Sequence, residues 1–244
     1  MKWFLVYILL IFTLIIVYFF RSGLPSTIVS VILPTPAIIR PVPTVFPAHK
    51  LIYISDVPFA AQAPFGNWQD PQEQNGCEEA AAVIAVYWAK NQILTPRIML
   101  NEIQKISDFE IKEFGTSVDT SAGDAADRIF KGYFKYNQIR VAKLTAVSQI
   151  VNYLDAGSLV VTPMNGQLLG NPFYTPPGPQ RHMIVIRGYD PQTDEFITND
   201  AGTRHGENFR YSSSKFFFAI RDYPTGDHLP ITDESSKSAI IVSR

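Results

Sequence analysis

The sequence predicts an α+β domain in which a helical N-terminal half packs on an antiparallel sheet formed by the second half, the whole preceded by one transmembrane helix. Three observations carry this expectation. Apolar residues recur at helical three-and-four spacing between Cys77 and Gly157, short β-branched runs bounded by turn residues follow, and an unbroken apolar run opens the chain.

The apolar run extends from Trp3 to Phe20, eighteen residues without a charge, glycine or proline. As a helix it spans about 27 Å, close to the hydrocarbon thickness of a bilayer. A secretory signal peptide needs a shorter apolar core and small residues at its cleavage site, whereas Tyr18, Phe19 and Phe20 lead directly into Arg21. Residues 1–21 therefore read as an uncleaved anchor and the lipid bilayer as a partner. Lys2 and Arg21 put one basic side chain at each end, so charge does not set the orientation; the N-terminus-in default puts the remaining chain on the extracytoplasmic side. Residues 22–50 carry six prolines and almost no charge, as a semi-extended tether would, although TIVSVIL and AII could instead lie along the domain as an edge strand. Residues 51–244 are expected to form a single domain.

Within that domain LIYISDVPF reads as a short strand, followed by a loop to Gly76. In CEEAAAVIAVYWAKNQ the residues Cys77, Ala80, Ala81, Ile84, Tyr87 and Trp88 give a helix with one apolar face. TPRIMLNEIQKI starts a second helix, with Thr95 as N-cap and Pro96 at the first helical position. DTSAGDAADRIFKGYFKYN and TAVSQIVNYLDAG give two more, the latter stopped by Gly157. SLVVTP and HMIVIRGYD are strands, DPQTD turns the chain into EFIT, SSSKFFFAI is a short helix and SAIIVS a closing strand.

Composition narrows the function. With 46% hydrophobic and 18% charged residues the chain is globular, and collagen, coiled coil and wholesale disorder are excluded. The first 55 residues hold four basic side chains and no acid, which leaves 17 basic against 22 acidic residues in the remainder. That balance lacks the basic surface nucleic acid requires, so no nucleic acid partner is expected. Cys77 is the only cysteine, so it neither forms a disulfide within the chain nor contributes to a structural zinc set, and no cofactor or metal is implied.

Cys77 stands at the start of a helix, where unpaired amide N–H groups and the positive end of the helix dipole favour thiolate over thiol. Glu78 and Glu79 in the same turn act against this, so a cationic partner would have to compensate. Of the four histidines, His49 falls in the tether and His205 and His228 in polar loops, whereas His182 opens a strand and can be held rigidly against a helix terminus. Asn199 and Asp200 end the next strand, and because successive strand residues face opposite ways only one of them can orient the imidazole. For each residue a packing role is the alternative: a small buried apolar side chain for Cys77, a satisfied core histidine for His182, a turn or cap for Asn199 and Asp200. An acyl-transfer site also needs donors for the developing oxyanion. The backbone N–H of Cys77 is one, and Gln62, Gln69, Gln72 and Gln74 all precede the helix, so spacing does not choose among their side chains. The loop MNGQLLGNPFYTPPGPQ, with Phe173 and Tyr174, suits a wall of the cleft or packing against the tether.

Three stretches, VPFAAQAPFGNWQDPQEQNGCEEA, RHMIVIRGYD and FITNDAGTRHGENFRY, resemble the cysteine, histidine and aspartate boxes of the bacteriocin-processing peptidase-like domains, a branch of the papain-like cysteine peptidases of clan CA, over roughly residues 53 to 220. The resemblance implies a papain-like fold, a peptide or protein substrate, Cys77 as nucleophile, His182 as general base and acid, and Asp200 as orienter. It implies Gln62 as oxyanion donor, with Gln74 second. Two positions depart from the pattern: Glu78 and Glu79 follow the cysteine where small residues are usual, and Ala201 follows Asp200 where proline is usual. No transporter helices and no P-loop accompany the domain, so leader cleavage coupled to export is not expected. The expected function is a membrane-anchored cysteine peptidase. The competing readings are a catalytically silent scaffold at the membrane surface, and an enzyme that passes the acyl group to an amine or cleaves a cell-wall peptide.

Overall fold

A computed structural model describes residues 50–231 and 236–244. The expected anchor, and the tether up to His49, lie outside the described residues. Among the described residues no helix is long and apolar enough to cross a membrane.

The chain runs β1 (Ile52–Tyr53), α1 (Pro71–Gln74), α2 (Cys77–Ala89), α3 (Pro96–Phe114), α4 (Ala122–Ala125, continued as a π-helix over Ala126–Tyr133), β2 (Ile139–Lys143), α5 (Val147–Asp155), β3 (Leu159–Met164), α6 (Gly166–Leu169), β4 (His182–Asp190), β5 (Glu195–Asn199), β6 (Phe209–Ser212), α7 (Ser213–Ala219) and β7 (Ser238–Val242). Six strands form an antiparallel sheet in the order β2-β7-β3-β4-β5-β6, and β1 pairs with the far end of β4.

The α+β expectation holds, with two changes. The strand expected across LIYISDVPF is only Ile52–Tyr53, and β2 was not foreseen: it enters between the helices and pairs along β7. The sheet is also covered on both faces. Leu159, Val161, Met183, Val185, Ile240 and Val242 point toward α2, α3 and α4, while their neighbours Val160, Ile184, Ile186, Ala239 and Ile241 point toward α5 and α7. Helix α5 therefore belongs to the opposite layer from the earlier helices. Burial on both sides explains why β3, β4 and β7 read as continuous apolar runs.

Helix α2 differs from its expected single apolar face. Every residue from Cys77 to Val86 is buried, the glutamates included, because the helix lies between the sheet and α3. A helix buried all round shows little amphipathic periodicity. Its start is set by Gly76, where a Cβ would come within 2.6 Å of the Gln72 carbonyl oxygen and 2.9 Å of Ile103 Cγ2. Only glycine lets the chain turn from α1 into α2 against α3 without displacing either. Helix α3 starts as expected, with Thr95 Oγ1 accepting from Ile98 N–H at 3.3 Å, and Gly115 closes its other end at φ 84°. Such a cap contributes about 1 kcal/mol.

Candidate active site

The packing brings the start of α2 to the start of β4. Cys77 and His182 line one cavity of about 570 Å³, together with Gln62, Gln74 and residues of the 173–181 and 202–205 loops. Cys77 is 7% exposed and His182 is buried. The cavity thus collects four of the five residues proposed from sequence, the fifth, Asp200, standing directly behind the imidazole.

His182 Nε2 lies 2.7 Å from Asp200 Oδ1, which leaves Nδ1 as the ring nitrogen available to a thiol. Strand alternation separates the two candidates for orienter. Asn199 turns the other way, donating to the carbonyls of Val57 and Pro58 at 3.4 and 3.0 Å. Asp200 is buried and accepts four further hydrogen bonds: from Gly202 N–H at 3.1 Å onto Oδ1, and from Tyr174 OH at 2.6 Å, Tyr211 OH at 2.6 Å and Asn171 Nδ2 at 3.2 Å onto Oδ2. Burial alone would raise the Asp200 pKa, but the His182 charge and the bonds from His182, Tyr174 and Tyr211 outweigh it and hold the carboxyl below its ordinary value. Asp200 is thus kept as a charged acceptor.

Gly202 completes this arrangement by having no side chain. A Cβ there would sit 2.7 Å from His182 Cε1 and 2.8 Å from Nε2. The imidazole is wedged between the Gly202 backbone and Tyr174, whose ring meets it edge-on at 5.6 Å between centroids.

The thiol is held differently from the sequence-based expectation. Cys77 Sγ donates to Glu78 Oε2 at 2.9 Å, and among the described residues it makes no hydrogen bond to His182. Burial pushes its pKa well above the ordinary thiol value, and the charge and hydrogen bond of Glu78, then the charges of Glu79 and Asp119, push it further. The helix-terminus preference for thiolate is outweighed by these carboxylates. Glu78 itself is buried and accepts from Tyr223 OH at 2.7 Å and Thr120 N–H at 3.2 Å through Oε1. Burial raises its pKa despite those bonds.

The groups expected from sequence as oxyanion donors are placed differently. The Cys77 N–H belongs to the first turn of α2, where no intrahelical acceptor exists. The Gln62 amide reaches the cavity, but its Nε2 donates to the carbonyls of Glu73 and Gln74 at 3.0 and 3.1 Å, while its buried Oε1 has no partner among the described residues. Gln74 is exposed at the cavity and its side chain makes no hydrogen bond among the described residues. Gln69 and Gln72 do not line the cavity; Gln72 Nε2 bonds Asp108 at 2.9 Å.

Sequence reasoning missed Asn171, Tyr211 and Gly202, and saw in Tyr174 a cleft wall or packing against the tether. All four act on His182 or Asp200 from chain segments with no motif of their own; the one available signal was the glycine two residues after Asp200. Among the described residues no cluster of His, Cys, Asp and Glu has the makings of a metal site.

The fold is that of C39-like peptidases. A Bacillus anthracis protein described as a C39-like peptidase superposes with a TM-score of 0.52 at 17% identity, covering 80% of this chain and 99% of that one. The peptidase domain of Streptococcus ComA, a bifunctional ABC transporter involved in a quorum sensing pathway, aligns with a TM-score of 0.40 at 12% identity over 70% of this chain and 93% of that domain. No protein of curated function matches the chain. The chain belongs to the Peptidase_C39 like family, whose profile matches residues 54–223.

Proposed function

We propose that this protein is a cysteine peptidase that hydrolyses peptide or amide bonds with Cys77, His182 and Asp200. The observation that carries the reading is the single cavity onto which the chain's only cysteine and the Asp200-bound imidazole both open. In the proposed cycle the Cys77 side chain rotates from Glu78 toward His182 Nδ1 and gives it the thiol proton. Sulfur then attacks the scissile carbonyl while the Cys77 N–H, with Gln74 or a released Gln62 amide, holds the oxyanion. The imidazolium, oriented by Asp200, protonates the leaving amine. His182 then takes a proton from water, whose oxygen attacks the thioester and frees the acid and the thiol.

The test is mass-spectrometric analysis of a peptide library incubated with the wild type, Cys77→Ala and His182→Ala. Cleavage by the wild type alone supports the reading. Cleavage that persists in Cys77→Ala sinks it.

A silent scaffold is the second reading, favoured by the Cys77–Glu78 hydrogen bond, which holds the sulfur as a thiol. For that reading, iodoacetamide labelling of Cys77 follows the same thiol titration, displaced above the ordinary thiol range, in the wild type and His182→Ala.

The apolar run from Trp3 to Phe20 supports membrane anchoring, which restricts substrates to those near the membrane surface, and the N-terminus-in default puts the domain on the extracytoplasmic side. Protease accessibility of a C-terminal tag in intact cells tests this; a tag protected until the membrane is permeabilised overturns the assigned side.

A further inference from the structure

We propose that the cavity beside Cys77 recognises a substrate carboxylate, and that the guanidinium of Arg204 binds it. The proposal rests on the peptidase reading and adds a substrate class to it.

The chain from residue 56 onward carries 22 acidic against 17 basic residues, yet the cavity wall includes Arg181, His182, Arg204 and His205 and no aspartate or glutamate. A basic cleft in an acidic domain is a local arrangement, and low-dielectric walls focus its field. Two of these side chains already have acidic partners. Arg181 pairs with Asp119 at 3.2 Å, and His182 is bound to Asp200 at 2.7 Å. Arg204 makes no ion pair among the described residues. Its Nη2 comes within 3.9 Å of the position a Cβ would take on Gly66, so the side chain reaches from the loop after Asp200 to the loop after Gln62. The loop that carries Arg204 is fixed on both sides: His205 stacks on Phe173 at 4.3 Å between centroids, and its N–H donates to Thr203 Oγ1 at 3.2 Å. An exposed, unpaired planar fork with five donors on the wall of a cleft matches a carboxylate in geometry and sign.

The carboxylate has two possible sources in a peptide, an Asp or Glu side chain and the C-terminus. Both are tested by presenting four matched peptide libraries, carrying Glu or Gln at one fixed position and ending in a free acid or an amide, to full-length Cys77→Ala protein and reading retention by mass spectrometry. Retention of Glu over Gln by about tenfold at low salt is expected, falling as salt is raised. A preference for acid over amide ends in its place assigns the carboxylate to the chain terminus. Either preference should fall to about one in Arg204→Gln, be partly kept in Arg204→Lys, and persist in Lys143→Gln, which removes the same charge from the exposed edge strand β2. Equal retention of all four libraries, retention of none, or a preference that survives Arg204→Gln overturns the proposal. The same libraries given to the wild type separate this from the peptidase reading. Carboxylate-selective retention without cleavage removes the peptidase and keeps the subsite, and cleavage without carboxylate preference does the reverse.

Discussion

Replacing Gly202 with alanine tests whether the imidazole depends on its present position. Gly202 does not adopt a left-handed backbone conformation, so the cost of the substitution is steric and not torsional. The new methyl would lie 2.7 Å from His182 Cε1, whereas non-bonded carbons settle at about 3.5 Å, so the ring must retreat by roughly 0.8 Å. A displacement of that size along the 2.7 Å bond to Asp200 takes it to roughly 3.5 Å, the limit of hydrogen bonding. Loss of a charge-assisted bond is worth about 1.5–3 kcal/mol, and a misplacement near 1 Å costs about a hundredfold in rate. Asp200 keeps its bonds from Tyr174, Tyr211 and Asn171, so the fold should survive. Circular dichroism should therefore show a folded protein with a modestly lower Tm, alongside a loss of about a hundredfold in kcat/KM on the cleaved peptide. A folded Gly202→Ala protein with undiminished kcat/KM would refute the argument that Gly202 sets the ring's position.

Glu78→Gln keeps an oxygen for Thr120 N–H and Tyr223 OH but removes the negative charge 2.9 Å from Cys77 Sγ, so the thiol pKa should fall. Iodoacetamide labelling near neutral pH should accelerate severalfold, and an unchanged rate would show that Glu78 does not restrain the thiol. Behind Glu78, the buried Glu110 is raised from 4.5 to about 8 by burial first and by the charge of Glu78 next, with Arg128 partly opposing. The folded chain then holds a proton that the unfolded chain releases, so the Glu110 contribution to stability is full below about pH 4.5 and is lost as pH rises through about 8, by on the order of 5 kcal/mol. Urea unfolding midpoints across that range should decline, and Glu110→Gln should remove much of the decline; a flat wild-type profile would contradict the assignment. Asp200 acts in the opposite sense: its lowered pKa adds stability that is present above about pH 4 and lost as pH falls toward the folded value. Asp200→Asn should abolish that acid limb in the same titration while eliminating hydrolysis, and survival of the limb would move its origin to another carboxylate.

Much of the domain was legible because local chemistry and tertiary packing agree. Thr95 and Pro96 announce α3 and cap it in the structure, and Gly157 ends the turn after α5 at φ 80°. HMIVIRGYD and EFIT became β4 and β5, joined by the turn at Asp194. Strand β2 was missed because IRVAK is half-exposed and alternates weakly, so it becomes a strand by pairing with β7, a hundred residues later in the chain. The burial of α2 on all sides was missed for a related reason: alanines and glutamates look like an exposed face until the sheet and α3 enclose them.

The sequence by itself determined the chemical types offered to the cavity, since one cysteine exists, one histidine opens a strand, and Asn199 and Asp200 end the next strand. It also determined the α+β order of helices and strands apart from β2, because periodicity and caps are local properties. Only the tertiary structure decided how those groups are charged and aimed. The thiol rests on Glu78, Asp200 collects hydroxyls from Tyr174 and Tyr211, and Arg204 reaches across toward Gly66. Desolvation and hydrogen-bond geometry depend on residues brought together from distant parts of the chain, and no spacing along the sequence encodes them.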